Sequence, residues 1–353
     1  MHYYLQVLFS ALTSFLIAYL SIPSIIKVAE LKKLYDEPGS RTSHDSNIPT
    51  LGGLAIFAGL IFSVTFWVET DYFKEIQFII AAIVLMFFIG IKDDIIAIDP
   101  LKKFLIQIVA ATILVVWGDI RLTSMYGIFY IQELPYWFSI ILSIITIIMI
   151  TNSFNLIDGI DALSGFIGII VSVTFGISFC LIYEFQFAIL AFALAGALLA
   201  FVRFNITPAK IFMGDTGSLL IGLVSAVLAI KFIEINKQLP IDISMKAVPS
   251  IAIGILIIPL FDTCRVFVIR ILQRKSPFGA DQNHLHHLII KSGATHMEAT
   301  LILSLVNLVF IGIVFLFQSM GAFILLLLIT CLATLLTGIL ILIKRKVNTT
   351  KVA

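Results

Sequence analysis

The sequence predicts an all-α, polytopic integral membrane protein, a single membrane-embedded domain over residues 1–353. Three observations predict it. Hydrophobic residues make up 60% of the chain and charged residues 12%, with mean hydropathy +1.10, a balance no soluble globular domain carries. The apolar residues fall into about eleven runs that approach the roughly 20 residues of a bilayer-crossing helix. Most charged residues lie in the short connections between those runs. The net charge of +2 is too small to point to a nucleic-acid partner, so membrane lipid is the expected surroundings.

The predicted spans are 5–26, 51–68, 76–91, 104–117, 136–151, 163–183, 186–202, 217–235, 249–271, 300–318 and 322–343. The first has no basic leader and no small-residue cleavage site, so it reads as a retained helix rather than a removed signal. The second opens on Gly52-Gly53, which lets a neighbouring backbone come close. The third, fourth and fifth are short and are expected to extend into their loops. The eighth follows Gly214-Asp215-Thr216-Gly217, and the ninth ends in Phe261-Asp262-Thr263-Cys264-Arg265. Cys180, Cys264 and Cys331 lie in apolar runs with no metal-type spacing and are expected in the core.

Lys and Arg set the orientation. Threading the spans puts only Lys74, Arg121, Lys231, Lys237 and Lys246 on one side, out of 23 basic residues. The other side is therefore expected to be cytoplasmic, with the N-terminus outside and the C-terminus inside. Five carboxylates also fall on that side: Asp93, Asp94, Asp158, Asp161 and Asp215. Ionisable groups at a membrane boundary are costly and mark function.

Each loop has a plain reading beside a chemical one. The stretch Asp36 to His44, with Arg41 and Pro38-Gly39, reads as a solvated turn. Asp93-Asp94 fits an acidic loop balanced by Lys92, Lys102 and Lys103, and equally a site where a cation neutralises two adjacent carboxylates. Asn155, Asp158 and Asp161 are spaced three apart, so one helical turn would show them on one face. No basic residue lies in their loop, and a helix cap accounts for only one of the three. Phe212-Met213-Gly214-Asp215 precedes the eighth span, where free N–H groups attract anions and a carboxylate can hold a metal; an ordinary N-cap is the alternative. Asp262 and Arg265 are one turn apart and fit an ion pair. The long last loop carries Arg270, Arg274, Lys275 and then His284-Leu285-His286-His287. The imidazoles fit a transition-metal site, and fit better a cationic loop suited to a diphosphate.

In this order the loops resemble the polyprenyl-phosphate N-acetylhexosamine-1-phosphate transferase superfamily, glycosyltransferase family 4, from Asp36 to His287. Within it, Ser276-Pro277-Phe278 followed by His284-Leu285-His286-His287 resembles the bacterial branch that makes undecaprenyl-diphosphate-GlcNAc. The resemblance implies that undecaprenyl phosphate attacks the β-phosphate of UDP-GlcNAc and UMP leaves. The product would prime a cell-envelope polysaccharide such as O-antigen, capsule or teichoic acid at the bacterial inner membrane. It implies Asp93 and Asp94 as catalytic residues, Asp93 handling the lipid phosphate. It implies magnesium, or manganese in its place, on Asn155 and Asp215. Asp158, Asp161 and Phe212 match nucleotide-binding positions; Arg274, His284, His286 and His287 match the loop over the sugar and diphosphate. A homodimer is compatible with it. The chain departs from the pattern at Thr42, where many relatives have lysine, and at Leu101, which leaves Lys102 or Lys103 as the phosphate contact. Two other readings stay in view. A phospho-MurNAc-pentapeptide transferase of the same superfamily is disfavoured by the histidine spacing. An ion-coupled transporter would show broken mid-membrane helices and repeated halves, neither visible in the sequence.

Overall fold

A computed structural model describes residues 1–35, 48–69, 71, 73–240, 244–276 and 281–352. The elements in chain order are α1 (His2–Lys32), α2 (Gly52–Trp67), α3 (Phe73–Ile95), α4 (Pro100–Thr112), α5 (Tyr136–Ile157), α6 (Leu163–Leu181) and α7 (Phe185–Asn205). They continue with α8 (Gly214–Gln238), α9 (Val248–Ile255), α10 (Ile257–Leu272), α11 (Leu285–Ile290), α12 (His296–Leu316) and α13 (Ala322–Val352). Two isolated bridges, Tyr35 to Pro49 and Ser124 to Glu133, are the extended pairings among the described residues.

Every predicted span has a helical counterpart among the described residues, and the structure refines several. Nine helices are long and apolar enough to cross a membrane, among the described residues. The segment predicted as one span over 249–271 is two helices, α9 and α10, bent by 84° at Leu256. The helix α2 has only 16 residues. At 1.5 Å per residue it is shorter than the roughly 30 Å hydrocarbon core. As expected, α3, α4 and α5 reach into their loops, α4 starting at Pro100. Asp93 and Asp94 therefore sit in the last turn of α3, and Asn155 in the last turn of α5.

Burial orders the bundle. In the most apolar stretches of α7 and α8, 83% of residues are buried, against 22% in α13, so α7 and α8 form the centre and α13 the rim. The helices α1 and α6 pack on α7, while α3 and α5 pack on α8. In lipid the apolar effect does not drive helices together, so close backbone approach must. A Cβ at Gly196 would lie 2.2 Å from the carbonyl oxygen of Ala11, and one at Gly53 2.3 Å from the backbone nitrogen of Gly217. These contacts seat α1 on α7 and α2 on α8. The expected core cysteines are corrected here: Cys264 and Cys331 are exposed on helix surfaces and Cys180 is half-buried.

Local chemistry sets the helix starts. Asp99 caps α4, accepting from Leu101 N at 2.9 Å, with Pro100 pre-set for the first turn. Thr295 and Glu298 form a reciprocal capping box on α12.

Candidate active site

The C-terminal ends of α3, α5 and α7 and the N-terminal ends of α4, α6 and α8 meet at one end of the bundle. There Asn152 and Gln107 first fix α5 against α4. Gln107 donates to Asn152 Oδ1 at 3.1 Å, and Asn152 donates to Gln107 Oε1 at 2.7 Å. One turn further along each helix stand Lys103 and Asn155.

Lys103 Nζ lies between two carboxylates. It is 3.2 Å from Asp93 Oδ2 and in ion contact with Asp215. Asp93 is held on its other oxygen by Ile98 N at 2.7 Å. Asn155 donates to Asp215 Oδ1 at 2.8 Å and to Ser218 Oγ at 2.9 Å. Asp93, Lys103, Asp215 and Asn155 thus form one connected cluster. Lys102 is exposed, and of the two candidate lysines it is Lys103 that contacts Asp93 and Asp215.

Asp94 does something different. Its carboxylate accepts from Asp215 N at 2.6 Å and from Thr216 N and Oγ1. These are the unpaired N–H groups of the first turn of α8, and a carboxylate there satisfies both donors and dipole. The expectation that this helix terminus offers N–H groups to a ligand is corrected: Asp94 already occupies them. The turn needs Gly214, whose φ is +69° and whose Cβ would meet Thr50 O at 2.3 Å. The neighbouring α2 adds Gly52 N to Phe212 O and Gly53 N to Met213 O, both 2.9 Å, so the diglycine anchors the Phe212–Asp215 segment.

The spacing of Asn155, Asp158 and Asp161 suggests a shared helical face, and the structure corrects this. The helix α5 ends at Ile157, and the three side chains diverge. Asp158 accepts from Ser164 on α6. Burial, with Asp94 nearby, pushes its carboxyl up to about 7. Asp161 accepts from Thr207 Oγ1 at 2.7 Å, and its backbone carbonyl accepts from Thr300 at 2.9 Å. Asn205 ties this turn to the next segment, accepting from Ala162 N at 2.8 Å and donating to Ile211 O at 2.7 Å.

The histidines are organised by Asp262, a residue whose role the sequence shows only as half of an ion pair. That carboxylate is 1% exposed and accepts from Arg265 at 2.7 Å, His284 Nδ1 at 3.0 Å and Leu285 N at 3.0 Å. Asp262 therefore starts α11 and fixes the register of the run. His286 follows, buried, with its Nε2 only 2.6 Å from where a Gly159 Cβ would stand. The histidine run thus closes against the Asp158–Asp161 turn, which explains why the turn carries glycine. Burial and the neighbouring His287 hold the His286 imidazole neutral, down to about 3. Among the described residues no three His, Cys, Asp or Glu side chains are placed to share a metal, so the transition-metal reading of the histidines finds no support. Arg274 is exposed, with a left-handed backbone, just beyond α10. The expectations placed on Asp36 to His44, including Arg41 and Thr42, and on Pro277-Phe278 lie outside the described residues.

Fold and site together define a multi-pass membrane enzyme whose acidic, lysine-bridged cluster opens at one end of the bundle. Comparison with known proteins agrees. Glycosyl transferase family 4 matches residues 76–233. The undecaprenyl-phosphate alpha-N-acetylglucosaminyl 1-phosphate transferase of Escherichia coli K12 is 31% identical over 284 residues, 79% of this chain and 75% of that protein. The proteins of the same name from Salmonella typhi and Yersinia pestis are each 29% identical, covering 81% and 79% of this chain and 77% and 75% of theirs. The chain belongs to glycosyl transferase family 4.

Proposed function

We propose that the protein transfers GlcNAc-1-phosphate from UDP-GlcNAc to undecaprenyl phosphate at the bacterial inner membrane. UMP is released, and the product is a lipid-linked primer for an envelope polysaccharide. The observation that carries this is the Asp93–Lys103–Asp215–Asn155 cluster at the end of a membrane bundle. A carboxylate beside an ammonium at a membrane boundary is a combination suited to a lipid phosphate meeting a diphosphate. The relatives' names support undecaprenyl phosphate as acceptor and N-acetylglucosaminyl 1-phosphate as the group transferred; UDP as its carrier is part of the proposal. The positive-inside bias favours a cytoplasmic position for this end, the side on which nucleotide sugars are made.

The donor set fits a magnesium ion. The Lys103 ammonium already sits between Asp93 and Asp215, so the cradle is shaped for positive charge. The side-chain oxygen of Asn155 accepts no hydrogen bond among the described residues, beside an Asp215 carboxylate. Two protein oxygens, with water and substrate phosphate completing the shell, suit a hard divalent cation. Bound there, the metal supplies charge neutralisation for the diphosphate. This chain's own residues do the rest. Asp93, fixed by Ile98 N and Lys103, orients the lipid phosphate and takes its proton where that phosphate is monoprotonated. An oxygen of the lipid phosphate then bonds to the β-phosphorus as the bond from that phosphorus to the UMP oxygen breaks. Lys103 meets charge on the transferring phosphate. Asp158, Asp161 and Phe212 frame the nucleotide, and Arg274 with the histidine run covers sugar and diphosphate.

The histidine spacing disfavours the phospho-MurNAc-pentapeptide reading and the relatives' names favour the GlcNAc one, while family membership argues against the transporter reading, although one span is broken. The experiment is UMP release by purified protein given undecaprenyl phosphate and a panel of UDP-sugars. UDP-GlcNAc should turn over and UDP-glucose should not. Turnover of UDP-MurNAc-pentapeptide in place of UDP-GlcNAc overturns the assignment.

A further inference from the structure

We propose that Asn307 is a positioning residue: its buried amide bridges the break between α9 and α10 and thereby sets how α10, which carries Asp262, holds the histidine run against the Asp158–Asp161 turn. A break inside a membrane span frees backbone groups that no water can satisfy, and these must find partners in neighbouring helices. Here the break at Leu256 frees the last carbonyls of α9 and the first N–H groups of α10. Asn307, 0% exposed and in the middle of α12, reaches both sides of it. Its Nδ2 donates to Ile255 O at 3.1 Å, and its Oδ1 accepts from Ile258 N at 3.4 Å. One planar amide thus ties the outgoing carbonyl to the incoming N–H and fixes them at the spacing of its own two polar atoms. Leucine or alanine at 307 would leave both backbone groups unpaired in an apolar interior.

The consequence reaches the site through covalent and hydrogen-bonded links. Asp262 lies one and a half turns beyond the break, and its carboxylate holds His284 Nδ1 and Leu285 N. Those two residues start α11, which presses His286 onto Gly159 in the Asp158–Asp161 turn. A change in the bend therefore moves the histidine run relative to that turn. A continuous helix, or one bent elsewhere, would carry Asp262 away from its partners. The bend is thus held from outside by a residue more than 30 positions along the chain from any group in the acidic cluster.

The test reads the bend directly. Cys264, exposed on α10, is spin-labelled together with a cysteine introduced at exposed Leu305 on α12, after Cys180 and Cys331 are replaced by alanine. Asn307→Leu should shift or broaden the distance distribution between the labels and lower UMP release about tenfold or more, the rate effect of a transition-state group misplaced by about 1.4 kcal/mol. Asn307→Gln, which keeps donor and acceptor, should restore a single narrow distance and part of the rate. Should Asn307→Leu not fold, Asn307→Ser carries the same comparison with a smaller perturbation. A folded Asn307→Leu or Asn307→Ser protein with the native distance distribution overturns the proposal. The distance readout stands on the fold alone and only the rate readout rests on the proposed reaction, so failure of that reaction is told apart from failure of the bend.

Discussion

At the scale of single residues, the two adjacent aspartates divide chemistry from structure. Asp93 faces Lys103 and the open cluster, while Asp94 caps α8 through two backbone N–H groups and a hydroxyl. Asp94→Ala should therefore lower the thermal midpoint, losing about 1–2 kcal/mol as for other N-cap deletions. Asp93→Asn should leave the midpoint close to native and cut turnover more than UDP-GlcNAc binding. Calorimetry and UMP release on both variants check this, and a stability loss confined to Asp93→Asn reverses the division. Asp215→Asn, at the proposed metal position, should fold and lose most turnover at every magnesium concentration. The pH behaviour follows from two neighbours with opposite shifts. Asp158 is raised to about 7, so the folded state holds a proton the unfolded chain releases, and its contribution to stability falls as pH rises from about 4 to about 7. His286 is lowered to about 3, so its contribution falls in the other direction, as pH drops from about 6.5 to about 3. In the native protein the two slopes oppose each other between about pH 4 and pH 6.5. Asp158→Asn should expose the histidine slope, with stability rising with pH. His286→Phe should expose the aspartate slope, with stability falling with pH. Equal slopes in both variants and the native protein, measured by chemical denaturation, would refute this.

At the scale of elements, close helix crossings place the site. The backbone nitrogen of Gly217 leaves no room for a Cβ on Gly53, and the same stretch of α2 holds the Phe212 and Met213 carbonyls. Gly53→Ala should push α2 from α8 at a cost of about 1–3 kcal/mol, as overpacked crossings do. It should also weaken nucleotide binding more than a matched alanine at Gly312, which has open space around it. Equal effects at the two positions would show that the crossing does not position Phe212. These elements also show how far the sequence reaches. The spans were legible because about 20 apolar residues are required to cross a bilayer whatever the tertiary context. Gly52-Gly53 announced a close approach, although not its partner. The break at Leu256 was legible only in part. Pro259, four residues after Ile255, has no N–H for the Ile255 carbonyl and so permits a kink there, but the asparagine that bridges the freed groups lies on another helix. The face shared by Asn155, Asp158 and Asp161 was misread for a related reason: periodicity assumes the helix continues, and α5 ends at Ile157. Asp262 was visible as a carboxylate in an apolar helix, but its grip on the histidine run depends on a fold that brings Leu285 back to it.

At the scale of the whole molecule, charge is sorted by end. Lys231 pairs with Glu75 at 3.1 Å, Lys237 with Glu133 at 2.9 Å and Arg121 with Asp119 at 2.6 Å. These pairs lie at the end of α8 opposite Asp215, where Glu234 also accepts from Thr123. There each of those basic residues has an acidic partner, so that end carries little net positive charge. The end that holds the acidic cluster carries most of the remaining Lys and Arg, including exposed Arg274 and Lys275. Translocation disfavours loops rich in Lys and Arg, so that end should face the cytoplasm, which is also where a soluble nucleotide sugar is available. The prediction follows for intact cells. A cysteine introduced at Lys237 should react with a membrane-impermeant maleimide added from outside. One introduced at Ser276 should react only after the membrane is permeabilised. Native Cys264 and Cys331 are exposed on helix surfaces and should be replaced first, so that the two new thiols are the reporters. Labelling of Ser276→Cys from outside would turn the bundle over, place the acidic cluster away from any cytoplasmic nucleotide sugar, and remove the physical basis for the proposed reaction.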